Sequence, residues 1–434
     1  MSQTLASISA ALSLIVALFT SMHVMAADNA ALTVRINNPI ASAYYPVTVP
    51  GKMLPMLHGI QTARITLYAM HASGAKLIPF QIDRREDTGQ YRIEPELDDD
   101  RPDRAFTAED EMVFMAADIG SATLVATIPL RTIAVLNIGD EKSFGTVYVA
   151  VANDGPAPRS AIDYVHYNAD QDSITADDFR IQFNTEKPFL VSSLQWQRSD
   201  GFSSNLIDTM KVRHRGKMFG SFDFLRTEAD YDSKLEAVKD GAIRVIRRTY
   251  NRVRVFWSLR SPGVDIDYIV YANHVVMDMT LDFPFKIGWF FSDVTTTASM
   301  DLAGTPGVRI YDSSAHNWLN IDGHMTAAKQ HYNEADLKRF YISHADGMIF
   351  GTMHLTERMP IAWRGFLVDD VTSVDPPELI AGQFGNIGFY TSNWEAMDTD
   401  VYHLYYSFYF ITTVPIEQAQ AILDGAPRYG QDRR

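Results

Sequence analysis

From Asn273 onward the chain alternates without a break. Val275, Met277, Met279, Leu281 and Phe283 fall on one side, and His274, Val276, Asp278, Thr280 and Asp282 on the other. A period of two over that length predicts a strand with one buried face. Just before it, Ile266, Tyr268 and Val270 alternate with Asp265, Asp267, Ile269 and Tyr271, so Val264 to Phe285 reads as an antiparallel hairpin turning near Ala272 and Asn273. A second hairpin is expected from Ala63–Met70 through the turn His71-Ala72-Ser73-Gly74 into Lys76–Asp83. Pro79 in its return strand has no N–H to give a ladder, which places that strand at an edge or makes Pro79 its start.

Strand-like runs recur along the rest of the chain, notably Met112–Ala116, Ala122–Ile138, Phe144–Val151, Thr209–Arg215, Ile243–Arg260 and Val401–Thr412. In the last of these both faces are too aromatic for a solvated surface, which predicts a strand between two packed layers or one whose second face lines a groove. Helix is scarce. Glu334–Phe340 is expected to make two turns after Asn333, and Val414–Asp424 a helix with Thr413 before it, Pro415 in its first turn and Gly425 at its end. The charged segment Asp230–Asp240 reads as a loop or a short helix. The pattern therefore predicts an all-β protein: an N-terminal β-sandwich, a larger antiparallel two-sheet domain, and a short C-terminal helix. Turn formers and two prolines between Asn153 and Arg159 mark a linker at 153–160, separating residues 27–152 from 161–434.

Composition narrows the setting. The chain has 38 Lys and Arg against 53 Asp and Glu, a net charge of −15, which argues against general binding to nucleic acid or to an anionic membrane surface. Residues 1–26 carry no charged side chain, and the apolar run Ala10–Phe19 leads to the small residues Ala26 and Ala27. This reads as a signal peptide, since the run is short of the roughly 20 apolar residues of a spanning helix. Either cleavage or retention as an anchor places the body in the periplasm or outside the cell, and cleavage leaves no membrane span. With no cysteine, there is no disulfide, no thiolate ligand and no cysteine nucleophile.

The acidic loop after Glu94 holds Asp98, Asp99, Asp100 and Asp103, an oxygen-rich stretch of the kind that binds Ca2+, although its spacing does not fit an EF-hand. The alternative is a solvated acidic loop neutralised by Arg101 and Arg104. The residues bracketing this loop, Ile78-Pro79-Phe80-Gln81-Ile82-Asp83 and Asp110-Glu111-Met112-Val113-Phe114-Met115, resemble a pattern in secreted bacterial β-sandwich proteins. Some of these occur alongside glycan-degrading enzymes, and the larger ones are similar to the mutarotase-like supersandwich. The resemblance implies a β-sandwich fold and a setting in glycan chemistry, and carries no catalytic residue with it.

Nucleophile elbows, phosphate-binding glycine loops and metal-hydrolase motifs do not occur. Three groups of residues remain. Arg252, Arg254 and Arg260 share one face of their strand, where guanidinium forks recognise carboxylate or phosphate, or pair with the acidic surplus. His274, with Asp278 and Asp282, lies on the polar face of the opening strand, whose ordinary role is to meet solvent. Trp289, Trp318, Trp363, Trp394, Tyr390, His403, Tyr405 and Tyr409, with Asn317 and Asn386, supply the aromatic and hydrogen-bonding mixture of a glycan groove. The leading expectation is a periplasmic or secreted protein that binds or acts on an anionic glycan. As a polysaccharide lyase of uronate polymers it would use His403 or Tyr405 as base or acid and Arg252 or Arg254 to neutralise the carboxylate. The second reading is a non-enzymatic accessory protein docking to an envelope protein partner in a redox or metal-handling complex.

Overall fold

The computed structural model describes residues 32–37, 43–93, 104–121, 127–139, 144–256, 259–335, 338–356, 358–377 and 384–427. The signal segment and Asp98, Asp99, Asp100 and Asp103 lie outside them. The protein is all-β, its sheets almost entirely antiparallel, with short helices at Ala327–Tyr332 and Ile416–Gly425. No helix of the described residues is long and apolar enough to cross a membrane.

The hairpin Val264–Tyr271 and His274–Phe283 turns at Ala272 and Asn273 and places Tyr271 opposite His274. It lies within the longest sheet, whose path runs through Tyr231–Lys239, Arg244–Phe256, the hairpin, Asp400–Ile411, Met348–Leu355, Arg339–Ser343, Arg309–Asp312 and Asn317–Asn320. Its two faces meet different layers. Val275, Met277, Leu404 and Tyr406 pack towards a five-stranded sheet of Phe222–Thr227, Ile207–Met218, Phe291–Leu302, Asn386–Ser392 and Ala362–Val368. On the opposite face, Tyr271, Val276 and Tyr405 cluster with Tyr91, Val113 and Met115 of the N-terminal segment. That second layer corrects the solvent-facing reading of the opening strand, because His274 and Asp278 are buried beneath it.

The N-terminal segment builds a three-stranded sheet of Pro46–Pro50, Asp110–Met115 and Gln81–Arg84 beside a five-stranded one. The two motif strands pair with each other, Asp83 opposite Glu111, and so deliver both carboxylates to one place. Pro79 falls between Gly74–Leu77 and Gln81–Arg84, which join different sheets: the strand expected to be continuous breaks where the ladder lacks a donor. The hydrophobic core of this segment continues into Tyr311, Tyr341, Phe350 and Tyr409 of the long sheet and Ala419, Ile422 and Leu423 of the C-terminal helix. Residues 153–160 are pinned to the body: Ala157 N–H donates to Ala63 O (2.8 Å), the Thr66 hydroxyl to Pro158 O (2.7 Å) and Arg159 to Thr62 O (3.1 Å).

Two local expectations are corrected. The helix near Asn333 precedes it, running Ala327–Tyr332 from the Thr326 cap, while Arg339–Ser343 is a strand. The Asn333 side chain instead bonds both backbone groups of Leu367, donating to its oxygen at 2.9 Å and accepting from its N–H at 2.6 Å, as a neighbouring strand would. Tyr231–Lys239 is likewise a strand, entered through a Thr227-capped turn, and it lies at the end of the long sheet, where charged side chains reach water.

Candidate functional site

The strand Ile207–Met218 divides its side chains by parity. Met210, Val212 and His214 line the space between the two sheets, whereas Lys211, Arg213 and Arg215 line a cleft of about 340 Å³ on the outer side of the five-stranded sheet. Register continues the floor across four strands: Arg213 is opposite Thr297, Thr297 opposite Tyr390 and Tyr390 opposite Arg364. At roughly 4.8 Å per strand the row spans roughly 14 Å, comparable to a short oligosaccharide. Thr295, Asn386 and Phe366 extend the floor, and Asp370, Ser373, Val374, Asp375 and Phe384 form the wall. The wall is fixed from behind, because buried Asp369 accepts from the N–H groups of Asp322 (3.0 Å) and Gly323 (2.9 Å) and is paired with buried Lys329.

The cations of this floor fall into two kinds. Lys211 is paired with Asp301 at 2.5 Å, and Arg213 with Glu228 and with Asp375 at 3.0 Å; both cations are buried and neutralised. Arg215 and Arg364 are exposed and, among the described residues, form no ion pair with a carboxylate. Arg364 instead lies over the Tyr390 ring, 4.2 Å from its centroid. Asn386 is buried, and its Oδ1 has no hydrogen-bond partner although the residue lines the cleft. The cleft thus combines an aromatic face, the exposed Arg215 guanidinium and two threonine hydroxyls, with the exposed Arg364 guanidinium at the Tyr390 ring beside it.

The residues singled out in the sequence are spread over several places. Tyr390 and Asn386 are in the cleft. His403 and Tyr405 belong to the buried side of the long sheet, in register with Thr280 and Asp278 respectively. There His403 Nδ1 is 3.4 Å from Asp278 and 3.3 Å from Thr280 Oγ1. Asp267, opposite Asp278, is held above the usual carboxylate range by burial, while Arg248 grips it through two 2.7 Å bonds that pull the other way. His274 is fully buried, stacked between Tyr271 and Tyr409 and within 2.9 Å of Ser407 Oγ.

Arg252 and Arg254 do share a strand face, and Arg260 is opposite Arg254. Arg254 binds Asp230 at 2.7 Å, Arg260 pairs with Asp232, and Arg252 donates to Ser261 O at 3.4 Å. These three arginines are not joined to His403 or Tyr405 by any of those bonds. Trp394 lines the space between the sheets and donates to Thr391 Oγ1 at 3.0 Å; Trp289 is exposed at the tip of that sandwich. Sequence reasoning missed Lys211, Arg213, Arg215 and Arg364. Their signal was present in Lys211-Val212-Arg213-His214-Arg215, where cations occupy alternate positions of a strand.

No protein-family model and no curated protein matches the sequence. Solved structures with some likeness include a protein of Synechocystis sp. PCC 6803, 7% identical with a TM-score of 0.32, the match covering 61% of this chain and 100% of that one. An α-mannosidase from Enterococcus faecalis V583 is 8% identical with a TM-score of 0.40, over 86% of this chain and 46% of that one. An amine oxidase of Aspergillus nidulans is 8% identical with a TM-score of 0.26, over 68% and 58% of the respective chains. The chain thus spans about half the length of the latter two. Likeness at these scores assigns neither activity nor ligand.

Proposed function

We propose that this protein binds an acidic glycan, outside the cytoplasm, along the outer cleft of its five-stranded sheet. The observation that carries the reading is exposed Arg215 beside the Tyr390 ring on one concave floor, with exposed Arg364 over that ring from the neighbouring strand. Aromatic faces stack on sugar rings, a guanidinium fork receives a carboxylate, and threonine hydroxyls bond sugar hydroxyls. Binding, rather than elimination, is the reading adopted, because His403 and Tyr405 are buried on the other sheet.

Calorimetric titration with oligosaccharides of galacturonate, glucuronate, sulfated sugars and neutral glucose tests it. An acidic member should bind the wild type, weaken as salt rises, and bind Arg215→Ala about 10- to 100-fold less tightly, the range of a lost hydrogen bond to a charged group. Equal affinity for Arg215→Ala and Arg364→Ala, with unchanged melting, would remove the cleft from consideration.

A further inference from the structure

The other side of the same sheet holds a second cavity. Between the five-stranded and the long sheet lies a space of about 270 Å³ lined by Met210, Val212, Met277, Met279, Leu281 and Ala298 among other mostly apolar side chains. Protein interiors are close-packed, so a void of this size is far from the ordinary condition of a β-sandwich core. Along the strand His274–Phe283 its lining runs from Met277 to Phe283, seven residues that span roughly 20 Å at the rise of an extended strand. The space is therefore long and narrow.

Apart from exposed Asp282 at one end, the polar groups described in its walls are hydrogen-bonded within the protein. His214 Nδ1 is 2.8 Å from Thr296 Oγ1 and His214 Nε2 is 2.6 Å from Tyr231 OH. Thr391 accepts from Trp394 and donates to Thr296 O (3.1 Å), and the Tyr268 hydroxyl donates to Phe189 O (2.7 Å). A buried water needs two to four polar partners, so these walls suit hydrocarbon. The thioethers of Met210, Met277 and Met279 adapt to chains of variable shape.

One end of this space borders an aromatic tip. Phe224 and Phe291, both half-buried in the lining, have ring centroids 5.7 Å apart. Beyond them Phe219, Phe222 and Trp289 are 63%, 64% and 69% exposed, and the Phe219 N–H donates to Phe290 O at 2.8 Å, tying the two loops together. Lys286 is nearby in sequence, and Lys217 is paired with Asp293 at 3.2 Å. Trp and Phe with adjacent lysines are the side chains that enter the interfacial layer of a bilayer.

From this geometry we infer that the space between the sheets takes a single unbranched acyl chain, which enters past the aromatic tip from a lipid surface. The test uses the full chain and the fluorescent fatty acid cis-parinaric acid. Wild type should bind it saturably at one per chain, and Val212→Phe and Ala298→Leu, which narrow the space from two strands, should each weaken binding at least tenfold while melting cooperatively. Absence of saturable binding to wild type, or unchanged binding by both folded variants, overturns the inference. If either variant fails to fold, the effect of palmitate on wild-type melting decides: a rise is expected, and no rise overturns it. For the tip, a Phe219→Ser, Trp289→Ser double variant should slow probe transfer from phosphatidylcholine vesicles without altering equilibrium affinity. Unchanged transfer would overturn entry from a lipid surface.

Discussion

Arg244 shows how single residues join the N-terminal segment to the long sheet. Its buried guanidinium donates to Asp83 at 2.9 and 2.6 Å, to Glu111 at 2.5 Å and to Tyr271 OH at 2.8 Å, while Gln81 Oε1 accepts from the N–H groups of Ile243 (3.3 Å) and Arg244 (3.1 Å). The paired motif strands thus place two carboxylates and an amide around Arg244, while Lys239 also pairs with Asp83 (2.9 Å) and Arg85 with Glu111 (2.6 Å). Arg244→Met leaves Asp83 to Lys239 and Glu111 to Arg85, so it is expected to cost less than the about 3–5 kcal/mol of an uncompensated buried charge but more than the about 0–1 kcal/mol of an exposed pair in denaturant unfolding. His274 gives a pH signature. Burial pushes its imidazole down to about 3, from about 6.5 in the unfolded chain. It is neutral in both states above about pH 6.5, so its contribution is complete there and is lost as pH falls from about 6.5 towards 3. By pH 4 that loss is on the order of 3 kcal/mol. The stability difference between wild type and His274→Gln should therefore shrink on acidification; a difference that stays constant between pH 7 and 4 would contradict the assignment.

At the scale of strands, alternation was the most legible signal, and the opening hairpin shows both its reach and its limit. The turn and register follow from the sequence, but period two names two faces without saying what covers each, so the burial of His274 and Asp278 depends on a layer contributed by distant residues. The same limit applies to Ile207–Met218: its cations form a cleft floor only because Thr297, Tyr390 and Arg364 arrive from three other strands. Charge alone singled out Arg252, Arg254 and Arg260 but left open whether they meet a ligand or the acidic surplus, since nothing local reveals that Asp230 and Asp232 pair with two of them. Because the Arg254 side chain remains half-exposed in its pair, Arg254→Ala should change stability by less than about 1 kcal/mol. It should also leave acidic-glycan affinity unchanged, in contrast to Arg215→Ala. Parallel melting curves and titrations of the two variants check this.

Across the whole molecule, layers lie on either side of the long sheet, which contributes side chains to the hydrophobic clusters of both. Phe350 and Tyr409 of that sheet pack in one hydrophobic cluster with Val47, Ile65 and Leu67 from the N-terminal strands and Leu423 from the last helix. Phe350→Ala is therefore expected to destabilise by about 3–5 kcal/mol and to shift one unfolding transition monitored at both ends of the chain. Separate shifts at the two ends would instead indicate independent units. This layering leaves the outer side of the five-stranded sheet open, with its cleft available to a glycan. Hydrogen exchange with and without a saturating acidic oligosaccharide addresses that claim most directly. Added protection is expected in 209–215, 295–301 and 386–392, abolished in Arg215→Ala; protection confined to 252–260, or none at saturation, would show that the glycan does not occupy this cleft.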